Sequence, residues 1–201
     1  MKSSSAKTTH IDQRLEQARS WLRQLGVNLD SQFQDIAGDA SFRRYFRLQA
    51  DGESRILMDS PPPADDIEPF IEIDRRLREA GLHAPEIIYA DGQSGFLLLE
   101  DLGDELYRGL LTEHIVDSLL PGLFDVIRDL AVSADTSGLP RFNYRRLLRD
   151  MDIFPNWYLG RHRKALPREQ FDNLWDNFCV SIIDSALEQP QCFVHRDFHS
   201  C

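Results

Sequence analysis

Apolar residues recur at Ile11, Leu15, Ala18, Leu22 and Leu25, a spacing of three and four residues. That spacing predicts an amphipathic helix from His10 to Leu25, capped by Thr9 and stopped by Gly26. The period then shortens. Phe33 to Ile36, Ser41 to Leu48 and Ser54 to Asp59 are β-rich runs broken by Gly38-Asp39 and Asp51-Gly52, which predicts an antiparallel meander of three strands. In the second run Phe42, Arg44, Phe46 and Leu48 fall on one face, and Arg43, Tyr45 and Arg47 on the other. Pro61 to Pro63 force an extended exit. A helix over residues 66–80 carries Ile67, Phe70, Ile71, Ile73 and Leu77 and ends at Gly81, before two further strands, Glu86 to Tyr89 and Gly95 to Glu100.

From Thr112 to Glu188 the pattern is helical. Thr112 caps a run that Pro121 kinks or restarts, Asn143 to Asp152 and Asn156 to Lys164 are shorter helices, and Pro155 opens the second of them. Pro167 opens a longer helix with Phe171, Leu174, Trp175, Phe178 and Ile182 as its apolar stripe, and Pro190 ends it. Cys192 to Val194 reads as a short strand running into His195-Arg196-Asp197. Strands first and helices afterwards give an α+β class with two lobes, an N-terminal one over residues 1–103 and a helical one over 104–201.

Composition narrows the functional classes. The chain has 201 residues, 23 Lys+Arg against 33 Asp+Glu, and a net charge of −10, which opposes broad nucleic-acid binding. No apolar run approaches the roughly 18 residues that span a bilayer. The opening MKSSSAKTTH lacks the apolar core of a secretory leader. Three cysteines without CxxC spacing suit a reducing compartment, so a cytoplasmic location with no membrane partner is expected.

The sharpest candidate chemistry is His195-Arg196-Asp197-Phe198-His199. In the kinase-type loop H-R-D-x-x-x-x-N the Asp accepts the proton of an attacking hydroxyl and the Asn holds a metal ion. A three-residue match alone also fits a solvated loop, but here it follows a β-rich part and then a helical part, the order a two-lobed phosphotransferase requires. Between the first two runs, Gly38-Asp39-Ala40-Ser41 is a turn able to drape N–H groups over phosphates, although a single glycine also fits an ordinary hairpin. Phe96 to Glu100, followed by Asp101-Leu102-Gly103, is an apolar strand ending in a short link, where an adenine ring can bond to the backbone.

The segments GDASFRRYF, LMDSPP, FLLLEDLGD, MDIFPNWYLGRH and FVHRDFHS resemble the aminoglycoside-phosphotransferase (choline-kinase-like) superfamily. Within it they are most similar to bacterial kinases that phosphorylate N-acetylmuramate and N-acetylglucosamine at the anomeric hydroxyl in cell-wall recycling. The resemblance implies a two-lobed protein-kinase-like fold and ATP- and Mg2+-dependent phosphoryl transfer to a small amino sugar. It implies Asp197 as catalytic base and His195 as a loop-ordering residue. It makes Gly38, Asp39, Ala40, Ser41 and Phe42 the phosphate-covering turn, and Glu100, Asp101 and Leu102 the adenine hinge. It also suggests His199, Trp157 and Tyr158 as substrate contacts, with core packing as the alternative for the two aromatics.

Two departures stand out. The third strand carries Met58 where the family has a phosphate-binding Lys, so Arg43 or Arg44 is expected to supply the charge, with Glu72 or Asp74 as its orienting carboxylate. The chain also ends at Cys201, before the Asn and Asp that would hold magnesium, so no metal ligand is expected within it and the helical lobe reads as incomplete. Other readings are transfer to an aminoglycoside, choline or another small hydroxyl acceptor, and a kinase-like nucleotide-binding module without catalysis. His10, His83, His114 and His162 lack metal-ligand spacing, and the cluster Arg141, Arg145, Arg146 and Arg149 is either a solvated face or an attractor of an anionic sugar.

Overall fold

The computed structural model describes residues 12–36, 42–112, 115–159, 161 and 168–199. Helix α1 spans Gln13–Gln24. Its cap is Asp12, whose Oδ1 accepts from the N–H groups of Arg14 at 3.0 Å and Leu15 at 3.4 Å; the expected cap, Thr9, lies outside the described residues. The predicted stop at Gly26 holds. Gly26 N donates to Arg23 O and Val27 N to Leu22 O, each at 3.0 Å, and Gly26 takes a φ of 80°, the left-handed closure of a helix end.

Five strands follow the expected run of strands, helix and strands: β1 (Gln34–Ile36), β2 (Arg44–Ala50), β3 (Glu53–Asp59), β4 (Ile87–Asp91) and β5 (Phe96–Glu100). They form one sheet in the order β1-β2-β3-β5-β4, antiparallel at every pairing. Strand β2 begins and ends later than expected because Asp51 and Gly52 alone make the turn. Both have positive φ, 53° and 81°, so the ladder runs up to the pair Ala50↔Glu53.

Alternation along these strands gives the sheet two apolar faces. Phe46, Leu48, Ala50, Leu57, Phe96 and Leu98 pack with Ala18 and Leu22 of α1. On the opposite face Met58, Leu97 and Leu99 pack with Ile67, Phe70 and Ile71, the last two from helix α2 (Glu68–Glu79). Each fully buried Leu or Phe contributes about 1.5–3 kcal/mol, so β3 and β5, which supply most of them, dominate this core. Gly95 closes the β4–β5 turn with a φ of 73°, and a Cβ there would lie 1.9 Å from the carbonyl oxygen of Ser60. Only glycine fits that approach, and the Ser60 N–H uses it to donate to Gly95 O at 2.8 Å.

A charged knot binds α1 to the sheet. Asp59 is fully buried and faces its cross-strand partner Arg44. Arg14 donates to Asp59 Oδ1 from Nε at 3.0 Å and from Nη2 at 2.5 Å, and Arg44 donates to Oδ2 from Nε at 3.0 Å and also from Nη2. Arg44 Nη1 reaches the capping Asp12 at 2.5 Å, and Arg14 Nη2 reaches Ser94 O at 2.7 Å.

The chain divides into two compact units, residues 1–129 with 197–201, and residues 130–196. The sequence places a lobe boundary at 103/104, whereas this division falls within a later helix. Past the sheet come α3 (Tyr107–Leu110), α4 (Val116–Ser133), α5 (Tyr144–Met151), a π-helical turn at Phe154–Leu159 and α6 (Arg168–Leu187). Pro121 lies inside α4 without interrupting it. Asn143 caps α5, accepting from Arg146 N at 3.0 Å. The buried seam of α6 differs from the expected stripe: Cys179 and Ile183 are sealed, while Leu174, Phe178 and Ile182 are exposed. No strand forms at Cys192 to Val194, because among the described residues no strand pairs with that segment, although Phe193 is buried.

Replacing Arg44 by Ala leaves the buried Asp59 with Arg14 as its remaining guanidinium partner. Urea unfolding is expected to show a loss of about 2–4 kcal/mol, and an unchanged midpoint would contradict the role given to this knot.

Candidate functional site

On one face of the sheet Tyr45 and Met58 pack against α2. Met58 is fully buried among Ile67, Leu97 and Leu99, an apolar plug where the family has a cation. The two replacement arginines part ways. Arg44 is turned to the α1 face and is held by Asp12 and Asp59. Arg43 lies on the Met58 side, 5.6 Å from the ring of Phe70 in α2, and its Nε donates to Asp65 Oδ2 at 2.5 Å. That bond, with Ser60 Oγ donating to Asp65 at 2.6 Å, holds the Asp65 carboxyl below the usual carboxylate range.

The candidate orienting carboxylates separate as well. Glu72 accepts from both Arg75 and Arg76 on its own helix, at 2.7–2.9 Å, which pulls it down to about 2. Asp74 is different. It is 8% exposed, and its Oδ1 is sealed without a hydrogen-bond partner. Burial pushes its carboxyl above the ordinary value, and the charge of Arg78 offsets that only in part. A buried carboxylate oxygen left open on the helix beside Met58 suits a cation or a donor from a ligand.

At the end of β5 the hinge residues are fixed through side chains. Asp101 accepts from Arg47 Nε at 2.7 Å, from Ser54 Oγ at 2.5 Å and from the N–H of Gly103 at 3.0 Å, and the first of these does most to lower its carboxyl to about 2. Arg47 also reaches Asp104 at 2.6 Å, bracing the segment that leaves the sheet. Glu100 accepts from the N–H of Glu86 at 3.1 Å, with His83 Nε2 3.6 Å away. Leu102 is exposed. Sequence patterning singled out Asp101 but missed Arg47 and Ser54. Strand alternation places Arg47 on the Tyr45 face and was the available signal.

The segment 195–199 bears the candidate base. Arg196 has a φ of 72°, a left-handed backbone that costs a side chain with Cβ about 1–2 kcal/mol. Its guanidinium lies 3.5 Å from Asp150 and 5.9 Å from the ring of Phe142, contacts that hold the turn. The next residue, Asp197, is exposed, with its Oδ1 3.2 Å from Nε2 of His199. An accessible carboxylate beside an imidazole is a competent proton acceptor. His195 precedes the turn and is exposed. The structure thus joins Asp197 to His199.

Trp157 and Tyr158 lie on the π-helical turn, and both are exposed. Phe154 stacks on Tyr158 at 5.4 Å and on Trp175 at 5.8 Å, while Arg161 lies 5.6 Å from the ring of Trp157. Trp175 Nε1 donates to Asp152 at 3.0 Å, pinning the turn to α6. Such aromatic faces can stack a sugar ring. Of the phosphate-covering turn, Gly38, Asp39, Ala40 and Ser41 lie outside the described residues, and Phe42 is exposed at its edge. His10, His114 and His162 also lie outside them. Among the described residues no three His, Cys, Asp or Glu side chains gather to hold a metal, and no helix is long and apolar enough to cross a membrane.

Comparison with known proteins gives three findings. The model of the phosphotransferase enzyme family matches residues 32–200. The N-acetylmuramate/N-acetylglucosamine kinase of Pseudomonas aeruginosa PAO1 is 40% identical over 163 residues, covering 81% of this chain and 48% of that protein. Its counterpart in Pseudomonas putida KT2440 is 36% identical over 194 residues, covering 88% and 57%. The chain therefore spans about half the length of the curated relatives it matches. Among solved structures, a choline/ethanolamine kinase family protein from Mesorhizobium loti aligns with a TM-score of 0.49 at 16% identity, over 88% of this chain and 55% of that one.

Because Asp74 has a raised carboxyl in the folded state, the folded chain holds its proton longer than the unfolded chain. Stability is then lost as pH rises from about 4 through that raised value. Asp74→Asn is expected to match the wild type near pH 3.5 and to melt about 2–4 °C higher at pH 7, read by circular dichroism. A lower melting point at both values would contradict the burial argument.

Proposed function

The chain belongs to the phosphotransferase enzyme family, and we propose that it provides the nucleotide lobe and catalytic base for phosphoryl transfer from ATP to the anomeric hydroxyl of an N-acetylated amino sugar. The observation that carries this reading is the accessible Asp197 carboxylate at 3.2 Å from His199, following the left-handed Arg196, in a chain similar to kinases named for N-acetylmuramate and N-acetylglucosamine. ATP supplies the phosphoryl group. The described residues do not gather a magnesium site.

Asp197 accepts the proton of the acceptor hydroxyl as its oxygen bonds to the γ-phosphorus and the bridging oxygen departs with ADP. His199 holds the carboxylate in position. The backbone of Glu100 to Leu102, braced by Arg47 and Asp101, offers donors and acceptors to the adenine edge. Arg43, held by Asp65, takes the place of the absent third-strand Lys. Trp157 and Tyr158 stack the sugar ring. Positioning and charge do most of the work, since phosphoryl transfer asks for little covalent chemistry from protein groups. The setting this suggests is recycling of cell-wall sugars by a soluble enzyme.

In the full-length protein, Asp197→Asn is expected to lower kcat with ATP and N-acetylglucosamine by about 10²–10⁴-fold while the melting temperature is unchanged. Retention of more than a tenth of the wild-type turnover would overturn the assignment.

A further inference from the structure

The second unit carries a concentration of positive charge that phosphoryl transfer as described does not use. Arg141, Arg145, Arg146 and Arg149 line one open cavity of about 390 Å³ together with Pro140 and Asn143. Three of the four belong to α5, where Arg145 and Arg149 stand one turn apart on the same face. Like charges at that spacing destabilise a helix by about 0.2–0.5 kcal/mol. In a chain of net charge −10, such a face requires an explanation.

Counter-charges are few. Arg149 lies 3.4 Å from Asp150, but that carboxylate is shared with Arg196 at 3.5 Å. Among the described residues, Arg141 and Arg145 form no ion pair. Arg146 lies 5.1 Å from the ring of Phe142, and its Nε is sealed from solvent with no hydrogen-bond partner. A guanidinium donor withdrawn from water and left without an acceptor is costly unless something else satisfies it. Asn143 uses its side chain to cap α5, which holds the helix start, and its partial positive charge, against the same cavity.

We propose that this cavity binds the oxyanion group of a small ligand, a carboxylate or a phosphate, between Arg141, Arg145, Arg146 and Arg149. Guanidinium forks match the two oxygens of a carboxylate or phosphate, and several around one cavity bind it far better than a single exposed pair. The cavity has the volume of a sugar-sized ligand. The same chemistry has two sources, a carboxylate borne by the acceptor sugar or a free anion such as inorganic phosphate. The first source rests on the amino-sugar reading above, and the second does not.

Isothermal titration of the full-length protein distinguishes them. The probes are inorganic phosphate, N-acetylmuramate, which bears a carboxylate, and N-acetylglucosamine, which does not. The proteins are the wild type, Arg141→Gln/Arg145→Gln at exposed positions, and Arg128→Gln as a charge-removal control in the other unit. At least one anionic probe is expected to bind the double variant about tenfold or more weakly, while N-acetylglucosamine and the Arg128→Gln control are unaffected. Weakening of N-acetylmuramate alone assigns the site to the acceptor, and weakening of phosphate alone assigns it to a free anion. Equal binding of both anions by the wild type and the double variant, or no binding of either by the wild type, overturns the site. If transfer to amino sugars is absent but phosphate binding still weakens, the site stands and the functional reading falls. If transfer proceeds and anion binding is unchanged, the site alone falls.

Discussion

The buried carboxylate of Asp59 is the constraint on which the sheet unit depends. A charge taken wholly out of water must be met by others, and here Arg14 from α1 and Arg44 from β2 both meet it. Their attachment fixes the register of β2 against β3 and seats α1 on the sheet. Arg14 also lies 4.2 Å from the ring of Phe96, so the same guanidinium that answers the charge covers the core. The apolar residues supply most of the energy, and the knot selects one arrangement among those the apolar residues would tolerate.

That arrangement decides which side of the sheet is left for chemistry. Once α1 and Arg44 occupy one face, the Met58 side holds Arg43, Tyr45 and the α2 carboxylates. Met58 makes that face an apolar plug, and Asp74 of α2 keeps a carboxylate oxygen without a partner. Asp74 therefore carries a local electrostatic cost, a condition common among groups at functional sites.

Much of this was legible in the sequence, and the misses have physical reasons. The α2 stripe of Ile67, Phe70 and Ile71 and the helix beginning near Asn143 were readable because periodicity is local. Arg44 was not, because alternation shows that Arg43 and Arg44 face opposite ways but not which face a helix covers. In α6 the apolar arc is wide enough to hold two stripes, and the residues at Cys179 and Ile183 were covered instead of Leu174, Phe178 and Ile182. Cys192 to Val194 has strand composition, yet a strand exists only through a neighbour. The His195 to His199 segment was recognisable from its residues, whereas the left-handed turn at Arg196 that presents Asp197 required coordinates.

Membership of the phosphotransferase family is shown, and the exposed carboxylate beside an imidazole and the aromatic turn support the proposed transfer to the anomeric oxygen of an amino sugar. The most direct measurement is phosphorus NMR of the products formed by full-length protein with ATP and N-acetylglucosamine or N-acetylmuramate. The account predicts a sugar phosphate whose phosphorus couples to the proton on C1, formed together with ADP. A phosphate at another hydroxyl, or ADP released with inorganic phosphate alone, would contradict it.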